Sequence, residues 1–250
     1  MSGALILVGT AMAPTGLASP PSVGTRGPMP LAGLVIALDP GHQLGNADPR
    51  FATQMSQTKF NGNSVKGCNT TGTETPAGYP ESTFTWKVAL RVKHRLEQQG
   101  ASVRLTRPDN SPDMWGPCVW KRGAFGTKVG ADLEISIHGD GAPASGHGFF
   151  IYTPASISGW TDDIAGSSLR AAHRMHDAMV AAGATSSTYI SGGVATTPEM
   201  TTLNFSDIPI VLIELGNMRN AQEAAAMETP TGQARYARWL VAGIKAAVKR

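Results

Sequence analysis

Leu34-Val-Ile-Ala-Leu-Asp-Pro-Gly-His42 decides how this chain folds, because a run of five apolar residues ends there in a turn. A short apolar run followed by Pro and Gly is typical of a buried strand. Apolar residues that lead to a polar side chain also occur in Asp132-Leu-Glu-Ile-Ser-Ile-His138 and in Ile210-Val-Leu-Ile-Glu214. Near-continuous apolar strands are typical of parallel sheets that are covered on both faces. The three segments therefore predict a central sheet with polar residues at one edge.

Helical patterns alternate with these strands. Phe84, Val88, Val92 and Leu96 recur every four residues, which predicts an amphipathic helix over residues 82–99. Further strands are predicted at 102–106 and 148–152, further helices at 119–130, 164–182, 221–227 and 234–248, and loops at 45–79 and 185–207. This alternation predicts an α/β fold, a three-layer α/β/α sandwich around a mostly parallel or mixed sheet of about six strands.

Length and composition exclude several classes of protein. The 250 residues, 41% of them hydrophobic, suffice for one sizeable domain. A charged fraction of 16% excludes a disordered, charge-driven chain, and the lack of internal repeats excludes solenoids and propellers. The net charge of +3 suits an anionic polymer but is too small to indicate nucleic-acid binding.

The N-terminal residues indicate export. Residues 3–18 are apolar and uncharged, but Pro14 interrupts them and they are short for a membrane span. Small residues at Gly16 and Ala18 fit a signal-peptidase site, although no basic residue precedes the apolar run. We predict an export signal and linker over residues 1–30, a catalytic domain over 31–250, no integral membrane span, and a monomer located in the periplasm or cell wall.

The two cysteines fit the same compartment. Cys68 and Cys118 suit a single disulfide in an exported chain, the alternative being two unlinked thiols. Closing a loop of this length would stabilise the fold by about 4 kcal/mol through chain entropy. A disulfide would also tether segment 45–79, which either covers the site as a flap or is an exposed insertion.

The polar residues that end the predicted strands are of the types found in metal-dependent hydrolases. If the strands run parallel, His42, His138 and Glu214 reach the same edge of the sheet. A zinc hydrolase needs three protein ligands with one open position, and a separate carboxylate base. Glu81, at the first turn of the amphipathic helix, is the best candidate for the additional carboxylate, and Glu74 is its nearest competitor.

A structural role is the alternative for each residue taken singly. A histidine at a strand end is more often structural than a ligand, and Asp39 could brace the ring of a ligating histidine. Glu214 is harder to explain in this way, because a carboxylate that follows four apolar residues must be paired or functional. Their joint occurrence favours the metal-dependent hydrolase.

At these residues the sequence resembles the zinc-dependent N-acetylmuramoyl-L-alanine amidases of the amidase 3 type, which act on the bacterial cell wall during cell separation. The order and spacing of the matching segments cover residues 33–249, and the resemblance is strongest to the single-domain mycobacterial members. The segments are Val35–His42, Glu81, Gly100–Arg107, Lys121-Arg122, Ala131–His138 and Val211–Asn217.

The resemblance implies that His42, Glu81 and His138 bind zinc and that Glu214 is the catalytic carboxylate. It also implies hydrolysis of the amide between N-acetylmuramic acid and the L-alanine of the stem peptide, with peptidoglycan or its muropeptide fragments as the partner. Gly139-Asp-Gly141 stands where the family usually has Ala-Asn-Ala, and Leu215-Gly-Asn217 where it commonly has Gly-Phe. The alternatives are a zinc peptidase that cuts within the stem peptide and a non-catalytic wall-binding protein of the same fold.

Overall fold

A computed structural model describes residues 1, 3–7, 9 and 29–249 of the chain. Most of the predicted export signal and linker, residues 10–28, lies outside this part. Among the described residues, no helix has both the length and the apolar character that crossing a membrane requires.

Six strands form the central sheet of the described chain. The sheet order is β4-β1-β5-β8-β6-β7; the first four strands are parallel, β6 is antiparallel to β8, and β7 is parallel to β6. The remaining two strands, β2 and β3, pair as an antiparallel hairpin. The strands are Val35–Pro40 (β1), Thr58–Phe60 (β2), Val65–Gly67 (β3), Ser102–Leu105 (β4), Leu133–Asp140 (β5), Phe150–Pro154 (β6), Val194–Thr197 (β7) and Ile210–Asn217 (β8). The mostly parallel sheet is therefore confirmed.

Helices cover both faces of the sheet, which confirms the three-layer sandwich. The helices are Ala52–Met55 (α1), Glu81–Glu97 (α2), Val119–Gly123 (α3), Phe125–Lys128 (α4), Ala165–Ala181 (α5), Thr201–Asn204 (α6), Ala221–Met227 (α7) and Pro230–Ala247 (α8). The long helices α2, α5 and α8 pack together against the main hydrophobic core. The four residues that predicted the amphipathic face of α2 all lie fully buried in that core.

The two faces of the sheet differ in character. Because side chains alternate along a strand, Ile135 and Ile137 of β5 point into the main core, whereas Ser136 and His138 point to the other face. The short helices α4 and α6 contact the sheet on that second side. The second face therefore carries the polar residues that the sequence placed among apolar ones.

Three segments differ from the prediction. Segment 45–79 is not irregular throughout, because it contains α1 and the β2–β3 hairpin. Segment 185–207 contains β7, which the sequence pattern does not indicate and which forms by pairing with β6. The single helix predicted over 119–130 is two short ones that meet at Ala124. Such short elements are fixed by distant contacts rather than by local periodicity.

Candidate metal centre

His42, Glu81 and His138 converge at the carboxyl edge of the sheet. One ligand atom from each of them lies within 4.8 Å of the others. Glu81 Oε1 is 3.2 Å from His42 Nε2 and 2.9 Å from His138 Nδ1. The two imidazole rings are nearly perpendicular, with centroids 4.9 Å apart. Two imidazoles and one carboxylate at this spacing are a ligand set that zinc accepts.

The turn after β1 presents His42 in a strained backbone conformation. His42 has φ of 58°, a left-handed value that side chains other than glycine rarely adopt. Two buried arginines hold the carbonyl groups around it. Arg122 donates to the carbonyls of Pro40 and His42 at 2.9 and 2.8 Å, and Arg107 donates to that of Pro40 at 2.9 Å. These hydrogen bonds offset the strain and fix the direction of the imidazole.

Glu81 reaches the centre because it is the first residue of α2. The backbone N–H of Glu81 donates to the Thr73 carbonyl, and its Oε2 accepts from the Thr73 N–H at 2.9 Å. Oε1 accepts from the Gly139 N–H at 3.2 Å and faces both imidazoles. The N-terminal end of a helix also favours a negative charge. The competing Glu74 is exposed and is not part of the cluster of ligand atoms.

The hydrogen bonding of His42 shows that the cluster fits a cation. Its Nδ1 lies 3.0 Å from the Thr70 carbonyl oxygen, which can only accept, so Nδ1 carries the hydrogen. The neutral ring then turns the lone pair of Nε2 toward Glu81 Oε1, another acceptor. Two facing acceptors require either a proton or a metal ion between them. A zinc ion would satisfy both, with the Thr70 carbonyl orienting the ring.

The pKa shifts of His42 and Glu81 also indicate that the metal-free cluster favours a bound cation. Burial disfavours the imidazolium of His42, but the adjacent Glu81 carboxylate outweighs this and raises the pKa of His42. Burial disfavours the Glu81 carboxylate as well, yet His42 and His138 hold its pKa below the ordinary value. The buried carboxylate thus stays ionised and available to a cation.

Glu214 lies beside the cluster on β8. It is the register partner of His138 on the adjacent parallel strand, so both side chains emerge on the same face of the sheet. Its Oε2 is buried without a hydrogen-bond partner among the described residues. Burial, together with the carboxylates of Glu81 and Asp140, raises the pKa of Glu214 well above its ordinary value. A buried carboxyl group with a raised pKa is typical of residues that accept and then donate a proton.

Asp39 does not brace a histidine, which corrects that interpretation. Its carboxylate pairs with Arg122 at 2.7 Å and accepts from the hydroxyls of Thr106 and Ser136 at 2.6 and 2.7 Å. The Thr70 carbonyl orients His42 instead. A backbone acceptor in a long loop leaves no sequence signal, since any residue type supplies one.

Tyr189, which no sequence pattern indicates, holds Asp140 next to Glu214. The Tyr189 hydroxyl donates to Asp140 Oδ2 at 2.7 Å, and Asp140 Oδ1 accepts from the Gly141 N–H at 2.7 Å. Asp140, the last residue of β5, is therefore held in place by two hydrogen bonds, and its charge contributes to the raised pKa of Glu214. Tyr189 lies 49 residues away along the chain, in a segment without a distinctive pattern.

Two cavities adjoin the centre. One of about 270 Å³ is lined by both histidines, by apolar side chains including Met200 and Leu212, and by the paired Lys66 and Glu199. The other, of about 480 Å³, lies along segment Thr71–Glu74 and is bordered by Arg219.

Comparison with known proteins gives consistent matches. The family model described as N-acetylmuramoyl-L-alanine amidase matches residues 36–246. The chain is 35% identical over 219 residues to the N-acetylmuramoyl-L-alanine amidase Rv3717 of Mycobacterium tuberculosis, covering 87% of each chain. It is also similar to the solved structures of two mycobacterial amidases named Ami1.

The apo form of the Mycobacterium abscessus Ami1 superposes with a TM-score of 0.80 at 38% identity, covering 88% of this chain and all of that one. The Mycobacterium smegmatis Ami1 gives a TM-score of 0.78 at 34% identity, covering 86% and 96%.

Proposed function

The chain belongs to the N-acetylmuramoyl-L-alanine amidase family, and we propose that it cleaves peptidoglycan with a zinc ion held by His42, Glu81 and His138. Family membership makes it a peptidoglycan amidase, an enzyme that hydrolyses the amide between N-acetylmuramic acid and the L-alanine of the stem peptide. The observation that carries the zinc proposal is the contact of two acceptors, His42 Nε2 and Glu81 Oε1, at 3.2 Å.

Each ligand residue has a defined part in holding the ion. His42 offers Nε2 because its Nδ1 is committed to the Thr70 carbonyl. His138 offers Nδ1, the nitrogen that faces Glu81. Glu81 offers Oε1, while Oε2 stays with the Thr73 N–H. When bound, zinc supplies Lewis-acid polarisation of the amide carbonyl and lowers the pKa of water.

Glu214 is proposed as the group that moves protons. Its partnerless Oε2 accepts a proton from the attacking water, and the raised pKa lets the carboxyl hold that proton until the amide C–N bond breaks. The proton then passes to the departing nitrogen of L-alanine. The products are a free lactyl carboxyl group on the sugar and a free amino group on the peptide.

Asp140 and Tyr189 support this role. The Tyr189 hydroxyl fixes the Asp140 carboxylate, and that negative charge contributes to the raised pKa of Glu214. Because Glu214 must carry a proton during part of the cycle, a neighbouring negative charge stabilises the protonated form.

The decisive experiment combines metal content with product identification. Purified residues 31–250 should contain about one zinc per chain and should release new L-alanine amino ends from purified wall. A chelator should abolish the release, and added zinc should restore it. New amino ends from a residue within the stem peptide would instead identify a peptidase, and metal-independent binding without release would identify a wall-binding protein.

The place of action follows from the substrate. We propose that residues 1–30 are an export signal and linker and that residues 31–250 form the catalytic domain, which acts outside the cytoplasm. The buried disulfide between Cys68 and Cys118 supports an oxidising compartment. Immunodetection of the processed protein in cell-wall and cytoplasmic fractions would test this location.

A further inference from the structure

The cavity of about 480 Å³ is separated from the metal centre by a thin wall of backbone. Gly72 forms part of that wall, and a Cβ at this position would lie 2.8 Å from Glu81 Oε2 and 2.9 Å from the His42 ring. The next residue, Thr73, donates its N–H to Glu81. Only the backbone of Gly72 and Thr73 therefore separates a substrate group in this cavity from the proposed metal ligands. These ligands are His42 and Glu81.

Arg219 brings a positive charge to the rim of this cavity. It lies five residues beyond Glu214, just past the end of β8, and its Nε is 3.6 Å from the position of a Cβ at Gly141. Its backbone N–H donates to Asn217, but its exposed guanidinium makes no hydrogen bond or ion pair with any described residue. An arginine held at a cavity rim with its donors uncommitted suits a carboxylate ligand.

Glu74 brings a negative charge to the same cavity. Its carboxylate is exposed and has no hydrogen-bond or ion-pair partner in the part of the chain that the structure describes. Between the two charged residues, the hydroxyl of Thr73 is buried and likewise without a partner there. The cavity therefore offers a cation, an anion and a neutral polar group, none of them satisfied from within the protein.

The cavity on the other side of the centre differs in this respect. Its charged residues already form two ion pairs, Lys66 with Glu199 and Arg122 with Asp39. Apolar side chains such as Val119, Met200 and Leu212 contribute to its walls. Of the two cavities, only the one bordered by Arg219 presents unpaired charges among the described residues. The two parts of the proposed substrate also differ in charge, because the sugar is largely neutral and the peptide carries charged groups.

On the basis of the proposed amidase function, we propose that the cavity bordered by Arg219 and Glu74 binds the stem peptide through a zwitterionic group. The ligand would be a diamino-acid residue whose side chain ends in a free carboxylate and a free ammonium. Arg219 would take the carboxylate in a bidentate contact, and Glu74 would take the ammonium. This assigns the direction of the substrate, with the peptide over Gly141 and the sugar over the opposite cavity.

The test compares two muramyl-peptide substrates with zinc-loaded protein. One carries only L-alanine and isoglutamine, and the other adds a third residue with the free carboxylate and ammonium. Wild type should have the higher kcat/KM with the longer substrate. Arg219→Met and Glu74→Gln should each narrow the ratio between the substrates by about fivefold to tenfold, mainly through KM, as expected for a partly exposed charged contact.

Controls separate recognition from folding. Arg219→Lys should recover part of the preference, and Arg238→Met, an exposed arginine on α8, should keep all of it. Calorimetric binding of the longer peptide to Glu214→Gln protein gives a second readout that needs no turnover, and Arg219→Met should weaken that binding in the same proportion.

The outcomes distinguish the two proposals. An unchanged ratio and unchanged peptide binding in both charge variants overturn the cavity assignment even if wild type is an active amidase. Failure of wild type to cleave either substrate overturns the proposed function, whereas the calorimetric measurement still decides whether Arg219 and Glu74 bind the zwitterion.

Discussion

His138 of β5 and Glu214 of β8 are register partners on neighbouring parallel strands. Parallel strands lie about 4.8 Å apart, and paired residues project to the same face of the sheet. A one-residue shift of either strand would send one of the two side chains into the apolar core on the opposite face. The hydrophobic residues that flank both positions therefore fix the relation between a proposed zinc ligand and the proposed catalytic carboxylate.

Glu214→Gln should separate catalysis from metal binding. The amide keeps the shape of the side chain but cannot accept the proton, so we expect turnover to fall by about a hundredfold to ten-thousandfold while zinc content stays near wild type. His42→Ala should lose both zinc and activity. Parallel measurement of metal content and amide hydrolysis checks this, with Glu97→Gln at the far end of α2 as the control. Retained turnover in pure Glu214→Gln protein would remove the assigned role.

Gly72→Ala should weaken zinc binding, and Gly78→Ala should not. Both glycines have left-handed backbones, with φ of 83° and 78°, so alanine should cost about 1 to 2 kcal/mol of stability at either site. Only at Gly72 would the new methyl group push against Glu81 and His42, whereas nothing lies within 4 Å of it at Gly78. Zinc titration of the two variants makes the comparison, and equal affinities would show that segment Thr71–Glu74 does not position the ligands.

Replacing both cysteines by serine should destabilise the domain. The disulfide closes a sequence separation of 50 residues, which corresponds to about 4 kcal/mol of free energy of unfolding from chain entropy. Denaturant unfolding of Cys68→Ser/Cys118→Ser protein measures the loss. Turnover of the folded variant then tests the flap hypothesis for segment 45–79: a changed rate supports a gating role, and an unchanged rate removes it.

The lowered pKa of Asp39 should make the free energy of unfolding depend on pH in the acidic range. Burial disfavours its charge, but Arg122 and the hydroxyls of Thr106 and Ser136 outweigh this and hold its pKa below the ordinary value. Since the folded pKa lies below the unfolded value of about 3.9, the stabilisation is complete above that pH and is lost as the pH falls through the folded pKa. The free energy of unfolding of wild type should therefore decline in acid.

Asp39→Asn tests this contribution. The variant leaves the buried Arg122 cation without its partner. Its free energy of unfolding at neutral pH should therefore be lower than that of wild type by about 3 to 5 kcal/mol. The difference in the free energy of unfolding between the variant and wild type should decrease as the pH is lowered, because protonation of Asp39 in wild type removes the same negative charge. Chemical unfolding between neutral and acidic pH provides the data, and Asp163→Asn is an exposed control. A difference that stays constant with pH would contradict the assignment.

Local patterns were sufficient for the main elements of the fold. The four-residue spacing in α2 and the apolar runs of β1, β5 and β8 each require burial on one or both faces, whatever the rest of the chain does. Shorter elements were not predictable in this way. β7 depends on pairing with β6, and the break between α3 and α4 at Ala124 has no periodic signal.

What the sequence by itself determined is the meeting of His42, His138 and Glu214, because parallel buried strands deliver their last residues to a common edge. Only the tertiary structure placed Glu81 rather than Glu74 beside the two histidines, paired Asp39 with Arg122, and brought the Thr70 carbonyl to His42. These relations join residues from 28 to 83 positions apart, with segments between them that carry no repeating pattern. Periodicity reports how a residue sits on its own strand or helix, whereas loop packing and charge pairing depend on where the ends of different elements come together.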